Sequence, residues 1–296
     1  MQQRNKKMTY NSKQGMYTLY TVGEDAPLLE WLMANIQGMS RNKLKDILKG
    51  RGVKVNGKVV TQFDYPLLKG MTVSLSRSKK NDTFKNRFVK VVYEDRYLVV
   101  VEKNPGILSM AAGHKTLNVK AVLDDYFRRT RQKCHAHVVH RLDRDTSGLM
   151  VVARTLEAYH SLQQQFACRT AAKRYEAVLD GVPATHEGTI SLPLMPDIMD
   201  RPRQRVDMEH GKPSVTTYRV VSTQGGRTLV WLYPHTGRTH QLRVHCAHPL
   251  GLATPILGDP LYGRGTAAPR MYLHAAELQI IHPTTGQRMK WLSKFI

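Results

Sequence analysis

The sequence has few cysteines and no long apolar run. Cys134, Cys168 and Cys246 are odd in number and far apart, which excludes a disulfide scaffold, and we interpret them as buried thiols in a reducing compartment. No apolar stretch approaches the roughly 20 residues of a membrane-spanning helix. The polar, basic residues 1–13 are not followed by the apolar core of a secretory signal. The sequence therefore predicts a soluble, cytoplasmic protein.

Acidic residues are also scarce. The 296 residues include 45 Lys and Arg but only 23 Asp and Glu, which gives a formal net charge of +22. This excess favours a polyanionic partner, most often nucleic acid, over a surface that is merely basic. Hydrophobic residues make up 41 % of the chain, which excludes a disordered tail. The length predicts about two domains.

Residues 26–75 have the pattern of a small folded unit. Pro27 opens an amphipathic helix, since proline is favoured at the first helical position. Ser40 is placed to cap a second helix of about ten residues. The pair Asn56 and Gly57 between β-prone residues predicts a hairpin, because both turn positions need positive φ.

The second predicted helix carries a basic stripe, which we define as Arg41, Lys45 and Lys49. Residues four apart share one helix face, and these three have no acidic residue at that spacing with which to pair. We expect the stripe, together with Arg51, to grip RNA phosphates rather than to read bases. The alternative is an ordinary solvated helix face.

From Phe88 onward, apolar stretches predict strands that are separated by two helices. Strands mostly follow strands, which favours an α+β fold with a mixed, mostly antiparallel β-sheet and flanking helices over a doubly wound fold. The expected strands are 89–93, 97–101, 149–153, 175–179, 215–223 and 227–233, and the expected helices are 119–127 and 159–166.

The segment 140–148 is dense in functional groups and lies between two apolar strands, where catalytic residues concentrate. Asp143 and Asp145 are flanked by Arg141 and Arg144, and the positive charges favour ionised carboxylates. Such carboxylates serve as nucleophile, base or metal ligand. One alternative is a charged turn with structural ion pairs. Another is a Mg²⁺-dependent phosphotransferase site, although the chain offers no Gly-rich phosphate loop.

Residues 234–249 contain four His and one Cys, which raises the possibility of a zinc site. The spacing argues against it, because residues five apart on a helix differ by about 140°. The alternative is that Thr236 and Gly237 start a helix on which Arg238 and Arg243 are the working residues.

Several motifs, in order, resemble those of one enzyme family. The segment 140–148 resembles the signature loop of the RluA-type RNA pseudouridine synthases, and 173–177 resembles their tyrosine motif. Residues 237–245, followed by 256–263, resemble their third motif and the loop beyond it. The resemblance covers roughly residues 88–292, whereas 246–255 departs from the usual Gly-His-Pro pattern and leaves His248 without a role.

The resemblance implies a domain plan with a small N-terminal α/β RNA-binding domain similar to the S-four type in front of the catalytic domain. It also implies a cytoplasmic monomer that acts on RNA, most often ribosomal, with no metal, cofactor or membrane. The expected divisions are a basic extension (1–25), the S-four-type domain (26–75), a linker (76–87) and the synthase domain (88–296).

The family's reaction isomerises uridine to pseudouridine within RNA, which needs no energy source because substrate and product are isomers. Asp143 matches the catalytic aspartate, which acts as nucleophile or base. Tyr175 matches the tyrosine that stacks on the target base, and taking the proton from C5 is a second role open to it. Arg243 matches the basic residue that pairs with the aspartate. Arg141 matches the arginine that fills the gap left by a flipped base. The competing hypotheses are a non-catalytic RNA-binding or ribosome-assembly factor and a metal-dependent phosphohydrolase.

Overall fold

The computed structural model describes residues 8–12, 15–36, 39–49, 52–76, 86–111 and 116–295. The chain divides into two compact units, residues 1–84 and 85–296. In the described part, no helix is long and apolar enough to span a membrane.

The small unit packs two helices on a five-stranded sheet in the order β1-β2-β7-β4-β5. Its core is apolar, with Leu28, Leu32, Leu44 and Leu48 fully buried on the two helices. Its elements are β1 (Met8–Ser12), β2 (Gly15–Thr21), β3 (Ala26–Pro27), α1 (Leu28–Asn35), α2 (Arg41–Lys49), β4 (Val53–Val55), β5 (Lys58–Val59), β6 (Pro66–Leu67) and β7 (Thr72–Ser76).

The predicted cap of the second helix and the predicted hairpin are confirmed, because Ser40 precedes α2 with its hydroxyl 3.4 Å from the amide nitrogen of Lys43. The position of Pro27 differs from the prediction, because its backbone is extended, with ψ of 139°, and α1 begins at Leu28. Asn56 and Gly57 have φ of 47° and 81° in the turn between β4 and β5. The predicted start of the folded unit at residue 26 differs from the structure, because β2 pairs antiparallel with β7 and so belongs to the same sheet.

The large unit is built on a ten-stranded sheet whose main order is β13-β16-β17-β12-β18-β11-β9-β8. Among the pairs within it only β11 with β18 is parallel, so the predicted α+β fold with a mostly antiparallel sheet is confirmed. The strands are β8 (Val89–Glu94), β9 (Leu98–Lys103), β10 (His137–Val138), β11 (Ser147–Ala153), β12 (Ala172–Leu179), β13 (Glu187–Ser191), β14 (Leu194–Pro196), β15 (Gln204–Val206), β16 (Val215–Gln224), β17 (Arg227–Pro234), β18 (Leu273–Ile281) and β19 (Arg288–Leu292). The helices are α3 (Val119–Arg129), α4 (Leu156–Ala167) and α5 (Gln241–Ala247).

Strand β11 runs through the centre of this sheet, and all seven of its residues are buried. It must lie unusually close to β18 at Gly148, where an added Cβ would stand 2.4 Å from the carbonyl oxygen of Ala275. The φ of Gly148 is +113°, which residues with a side chain rarely adopt. This glycine therefore fixes the close approach of two strands directly after the loop 140–146.

Candidate active site

The loop 140–146 joins β10 to β11 and is held by hydrogen bonds from a neighbouring segment. The hydroxyl of Ser109 donates to the carbonyl oxygen of Leu142 at 2.7 Å and accepts from its amide at 2.9 Å. Within the loop, the amide of Thr146 donates to the carbonyl oxygen of Asp143 at 3.2 Å. Because its backbone is fixed in this way, the loop holds the Asp143 carboxylate in a defined position.

Lys103 also holds this loop in place, through a hydrogen bond to its backbone. It is completely buried at the end of β9, and its ammonium donates to the carbonyl oxygens of Asn104, Ile107 and Arg144 at 3.1, 2.9 and 2.8 Å. Burial lowers the pKa of Lys103 to about 8, although the negative charges of Asp145 and Asp143 oppose this shift. Lys103 lies beyond the predicted strand 97–101 and was not predicted as a site residue; the signal for it is a lysine that directly follows an apolar strand.

Arg243 stands opposite Asp143. Its Nη1 lies 3.9 Å from Oδ2 of Asp143, and the arginine side chain is 4 % exposed against 17 % for the aspartate. The arginine belongs to α5, which begins at Gln241 and not at Thr236 as one alternative expected. The reason is that Oε1 of Gln241 accepts hydrogen bonds from the Thr236 hydroxyl and the Arg238 amide, which fold the preceding segment into a loop.

The closest partner of Arg243 is a second carboxylate, that of Asp259. Nε and Nη2 of the arginine donate to its two oxygens at 2.7 and 2.6 Å, and the Asp259 side chain is fully buried. The amides of Leu261 and Tyr262 also donate to Asp259. Burial opposes ionisation, but the hydrogen bonds and charge of Arg243 hold the pKa of Asp259 below its usual value.

Asp259 was not singled out as a site residue, because its partner is defined only by the fold. The signal for it is an isolated acid between Gly258 and Pro260, in the segment 256–263 whose other residues are uncharged. By taking two of the guanidinium nitrogens in a bidentate pair, Asp259 leaves Nη1 of Arg243 directed at Asp143.

The other face of this cluster is aromatic. The guanidinium carbon of Arg243 lies 5.1 Å from the centre of the Tyr262 ring. The hydroxyl of Tyr262 accepts from the amide of Gln204 at 2.7 Å and lies 2.9 Å from Nδ1 of His240. These contacts restrict the arginine to one position.

Tyr175 lies in the same pocket as Asp143. It is on β12 at the point where the register with β18 shifts after Arg174, an irregularity that is typical of strands beside active sites. Burial, and then the negative charge of Asp143, raise the pKa of Tyr175. The side chain is therefore a neutral phenol at neutral pH.

The structure thus brings together the three residues predicted to be catalytic. Asp143, Tyr175 and Arg243 line one pocket, which has a volume of about 70 Å³. Arg141, predicted to contact RNA, lines the same pocket and is exposed. In this pocket the solvent-accessible carboxylate of Asp143 lies beside the buried guanidinium of Arg243, and the ring of Tyr175 forms part of the same wall.

The histidines of 234–249 are each occupied by other contacts. His245 lies between the Thr216 hydroxyl at 3.0 Å and the Leu192 carbonyl oxygen at 3.2 Å, and Nδ1 of His248 accepts from the amide of Leu250. Among the described residues, no group of three or more His, Cys, Asp or Glu is arranged to hold a metal ion. Asp145 pairs with Arg144 at 3.0 Å.

The residues of the basic stripe lie on α2 as expected. Arg41 and Lys49 are exposed, whereas Lys45 is half-buried, and the ammonium groups of Lys45 and Lys49 lie 5.4 and 6.0 Å from the centre of the Phe63 ring. Arg51 lies outside the described residues. Phosphate binding by this surface stays a prediction.

The expectation of three buried cysteines is wrong for two of them. Cys246 is buried, but Cys134 is half-buried and Cys168 is exposed. Cys168 directly follows α4, whose last turn reaches solvent.

Comparison with known proteins gives one family. The family model described as RNA pseudouridylate synthase matches residues 97–248. Ribosomal large subunit pseudouridine synthase D of Pseudomonas aeruginosa is 38 % identical over 221 residues, which cover 69 % of this chain and 68 % of that protein. The dual-specificity RNA pseudouridine synthase RluA of Escherichia coli K12 is 42 % identical over 206 residues, which cover 67 % of this chain and 90 % of that protein.

Solved structures agree with this match. The human RNA pseudouridylate synthase domain containing 1 protein has a TM-score of 0.58 and 29 % identity, and the match covers 71 % of this chain and 84 % of the human one. The human domain containing 4 protein has a TM-score of 0.57 and 27 % identity over 70 % of this chain and 88 % of the human one.

Proposed function

This chain belongs to the RNA pseudouridylate synthase family and isomerises uridine to pseudouridine in RNA, and we propose that its substrate is large-subunit ribosomal RNA. The printed name of the Pseudomonas relative and the net charge of +22 support this substrate. We further propose that it acts in the cytoplasm as a monomer. The reaction consumes no co-substrate or energy source, because breaking the bond from ribose to N1 and forming one to C5 leaves the composition of the nucleotide unchanged, and we propose that it uses no metal or cofactor.

The observation that carries the assignment of the site is the solvent-accessible carboxylate of Asp143 beside the buried guanidinium of Arg243. A guanidinium beside a carboxylate attracts it and restricts its orientation. In our proposal Asp143 is the catalytic nucleophile or base. Arg243 keeps the direction of the carboxylate constant while the base leaves the ribose and returns.

Tyr175 is the second group of the proposed site. Because its pKa is raised, the phenolate that would be needed to accept a proton is disfavoured in the free protein. We assign its ring to stacking against the target uracil, which is worth about 1–3 kcal/mol per base. This contact keeps the detached base in the pocket while it turns from N1 to C5.

Arg141 completes the proposed set. A uridine in a stem must leave the base stack before its glycosidic bond can be reached, at a cost of a few kcal/mol. Arg141 is exposed at the pocket, on the same loop as Asp143. We propose that its side chain occupies the space that the flipped base leaves in the RNA.

The test is the Asp143→Asn variant. Release of tritium from C5 of uridine in transcribed ribosomal RNA measures turnover, and filter binding measures affinity for the same RNA. We expect turnover to be lost while the dissociation constant changes little. Asp125→Asn, which alters a half-buried acid on α3 whose partners Arg128 and Arg129 are exposed, is the control and should keep full turnover. Turnover in Asp143→Asn would refute the proposal.

The non-catalytic alternative, an RNA-binding or ribosome-assembly factor on the same scaffold, is not favoured. It predicts RNA binding without any pseudouridine formed, and no effect that is specific to Asp143. It also does not explain why a solvent-accessible carboxylate, that of Asp143, lies beside the buried pair of Arg243 and Asp259.

A further inference from the structure

A second and larger cavity adjoins the pocket of Asp143. It has a volume of about 690 Å³ and shares Arg141, Lys173 and Arg238 with that pocket as a common wall. We call it the flank groove. It is formed by β10, the end of α4, the start of β12 and the end of β17.

The flank groove is strongly basic. Four of its lining residues are Lys or Arg, namely Arg141, Arg169, Lys173 and Arg238, and none of its described lining residues is acidic. In the part of the chain that the structure describes, Arg141, Arg169 and Lys173 form no ion pair with a carboxylate. Three of the four, Arg141, Arg169 and Arg238, are exposed. The groove therefore attracts an anion that the protein does not itself supply.

Aromatic rings alternate with these charges. The rings of His140 and Phe166 are stacked with their centres 4.6 Å apart, and Tyr233 lines the same cavity. The ammonium of Lys173 lies 5.5 Å from the centre of the Phe166 ring. A basic groove that also offers ring faces is the arrangement that binds single-stranded nucleic acid, because phosphates take the charges and bases stack on the rings.

His140 adds a polar group that the protein leaves unsatisfied. Its Nε2 accepts from the amide of Val151 at 3.0 Å, so in the neutral ring the proton is on Nδ1. Burial lowers the pKa of His140 to about 3, which keeps the ring neutral. Among the described residues, Nδ1 has no hydrogen-bond partner. Because Nδ1 is itself buried, the groove is lined by the ring of His140 and not by this donor.

We propose that the flank groove binds the one or two nucleotides that adjoin the target uridine in the same RNA strand. Their phosphates contact Arg169 and Arg238, and a base lies against the rings of Phe166, His140 or Tyr233. The volume supports this size, since pockets of about 300–1,000 Å³ enclose ligands of this class. The inference rests on the proposed function, because the shared wall makes the groove a continuation of the uridine pocket.

The experiment compares RNAs of different length with variants of the groove. Three substrates share the target uridine: the longer RNA, one that lacks two flanking nucleotides on the 5′ side, and one that lacks two on the 3′ side. Arg169→Asn removes the charge, and asparagine tolerates the left-handed backbone of this residue, whose φ is 60°. Arg227→Asn is the matched control, because Arg227 is exposed in the same unit but does not line the groove.

On one side of the uridine, we expect the longer RNA to have the higher kcat/KM with the wild type and with Arg227→Asn. With Arg169→Asn that advantage should disappear, and the slope of log Kd against log salt for the longer RNA should fall by about 0.7, the value for one phosphate contact on a single strand. Arg169→Lys should restore both. If Arg169→Asn affects long and truncated RNAs equally, or neither, the inference is overturned. If the wild type forms no pseudouridine, the proposed function fails instead, which separates the two outcomes.

Discussion

Replacing Asp259 by asparagine should destabilise the large unit far more than replacing the proposed catalytic acid. Asp259 forms the bidentate pair with Arg243 at 2.7 and 2.6 Å, and both side chains are buried. In Asp259→Asn an amide NH₂ replaces one acceptor, so the guanidinium loses its charge partner in a place that water does not reach. In Asp143→Asn the arginine keeps its pair with Asp259.

The expected magnitude follows from this geometry. Removing one partner of a buried ion pair costs about 3–5 kcal/mol, because the remaining charge stays desolvated. For a unit of roughly 150–250 residues, each kcal/mol lowers Tm by about 2–4 °C. Asp259→Asn should therefore lower the Tm of the large unit by about 6–20 °C. The pair of Arg243 with Asp143 is longer, at 3.9 Å, so Asp143→Asn should shift Tm by only a few degrees.

Differential scanning calorimetry of the full chain measures both shifts. Asp125→Asn is the control, since Asp125 pairs only with the exposed side chains of Arg128 and Arg129. Such surface pairs contribute about 0–1 kcal/mol. Equal Tm values for Asp259→Asn and Asp143→Asn would refute the view that Asp259 is the main partner that holds Arg243. Turnover should be lost in both variants at a temperature where both are folded.

Three further predictions concern packing, pH and RNA binding. Gly148→Ala should lower the free energy of unfolding, measured by chemical denaturation, by about 2–6 kcal/mol, because a Cβ would meet the backbone of β18 and the φ is strained. Gly57→Ala is the control, since Gly57 has φ of +81° but lies in open space, and it should cost only about 1 kcal/mol. Equal losses in the two variants would contradict the packing argument. Burial lowers the pKa of His140 to about 3 and the pKa of His245 and His274 to about 4. Below pH 6.5 the folded state then binds fewer protons than the unfolded state. The stability that is present above pH 6.5 is therefore lost as the pH falls, and the free energy of unfolding decreases by about 1.4 kcal/mol per pH unit for each histidine. His245→Gln should reduce that slope, and an unchanged slope would show that His245 does not contribute. Alanine at each residue of the basic stripe should weaken RNA binding regardless of the RNA sequence. The slope of log Kd against log salt should fall by about 0.9 per lost phosphate contact. An unchanged slope would mean that the stripe faces solvent in the complex.

Elements fixed by short-range chemistry could be predicted from the sequence. The hairpins at Asn56-Gly57 and Gly225-Gly226 follow from residues that accept positive φ, and all four glycine and asparagine positions have it in the structure. The motif order identified the family and named Asp143, Tyr175 and Arg243, which the fold does bring into one pocket. These signals depend on residues within a few positions of each other.

Strands β1 and β2 illustrate where local signals end. Residues 8–21 carry polar and aromatic side chains without a strong alternating pattern, and they were expected to be an extension. Strand β2 pairs with the edge of β7, with Tyr17 opposite Ser76 and Thr21 opposite Thr72, and β1 then pairs with β2. A backbone that is far away in sequence supplies these hydrogen bonds, so no local propensity shows them.

The sequence by itself determined the secondary-structure pattern, the basic charge, the family and the acid on the loop. Only the tertiary structure decided which groups surround that acid. Asp259 as the main partner of Arg243, the carbonyl contacts of Lys103 and the basic groove beside the pocket all join segments that lie far apart in the chain. The physical reason is that the energy of a buried charge depends on distance and desolvation, and both are set by packing rather than by order along the chain.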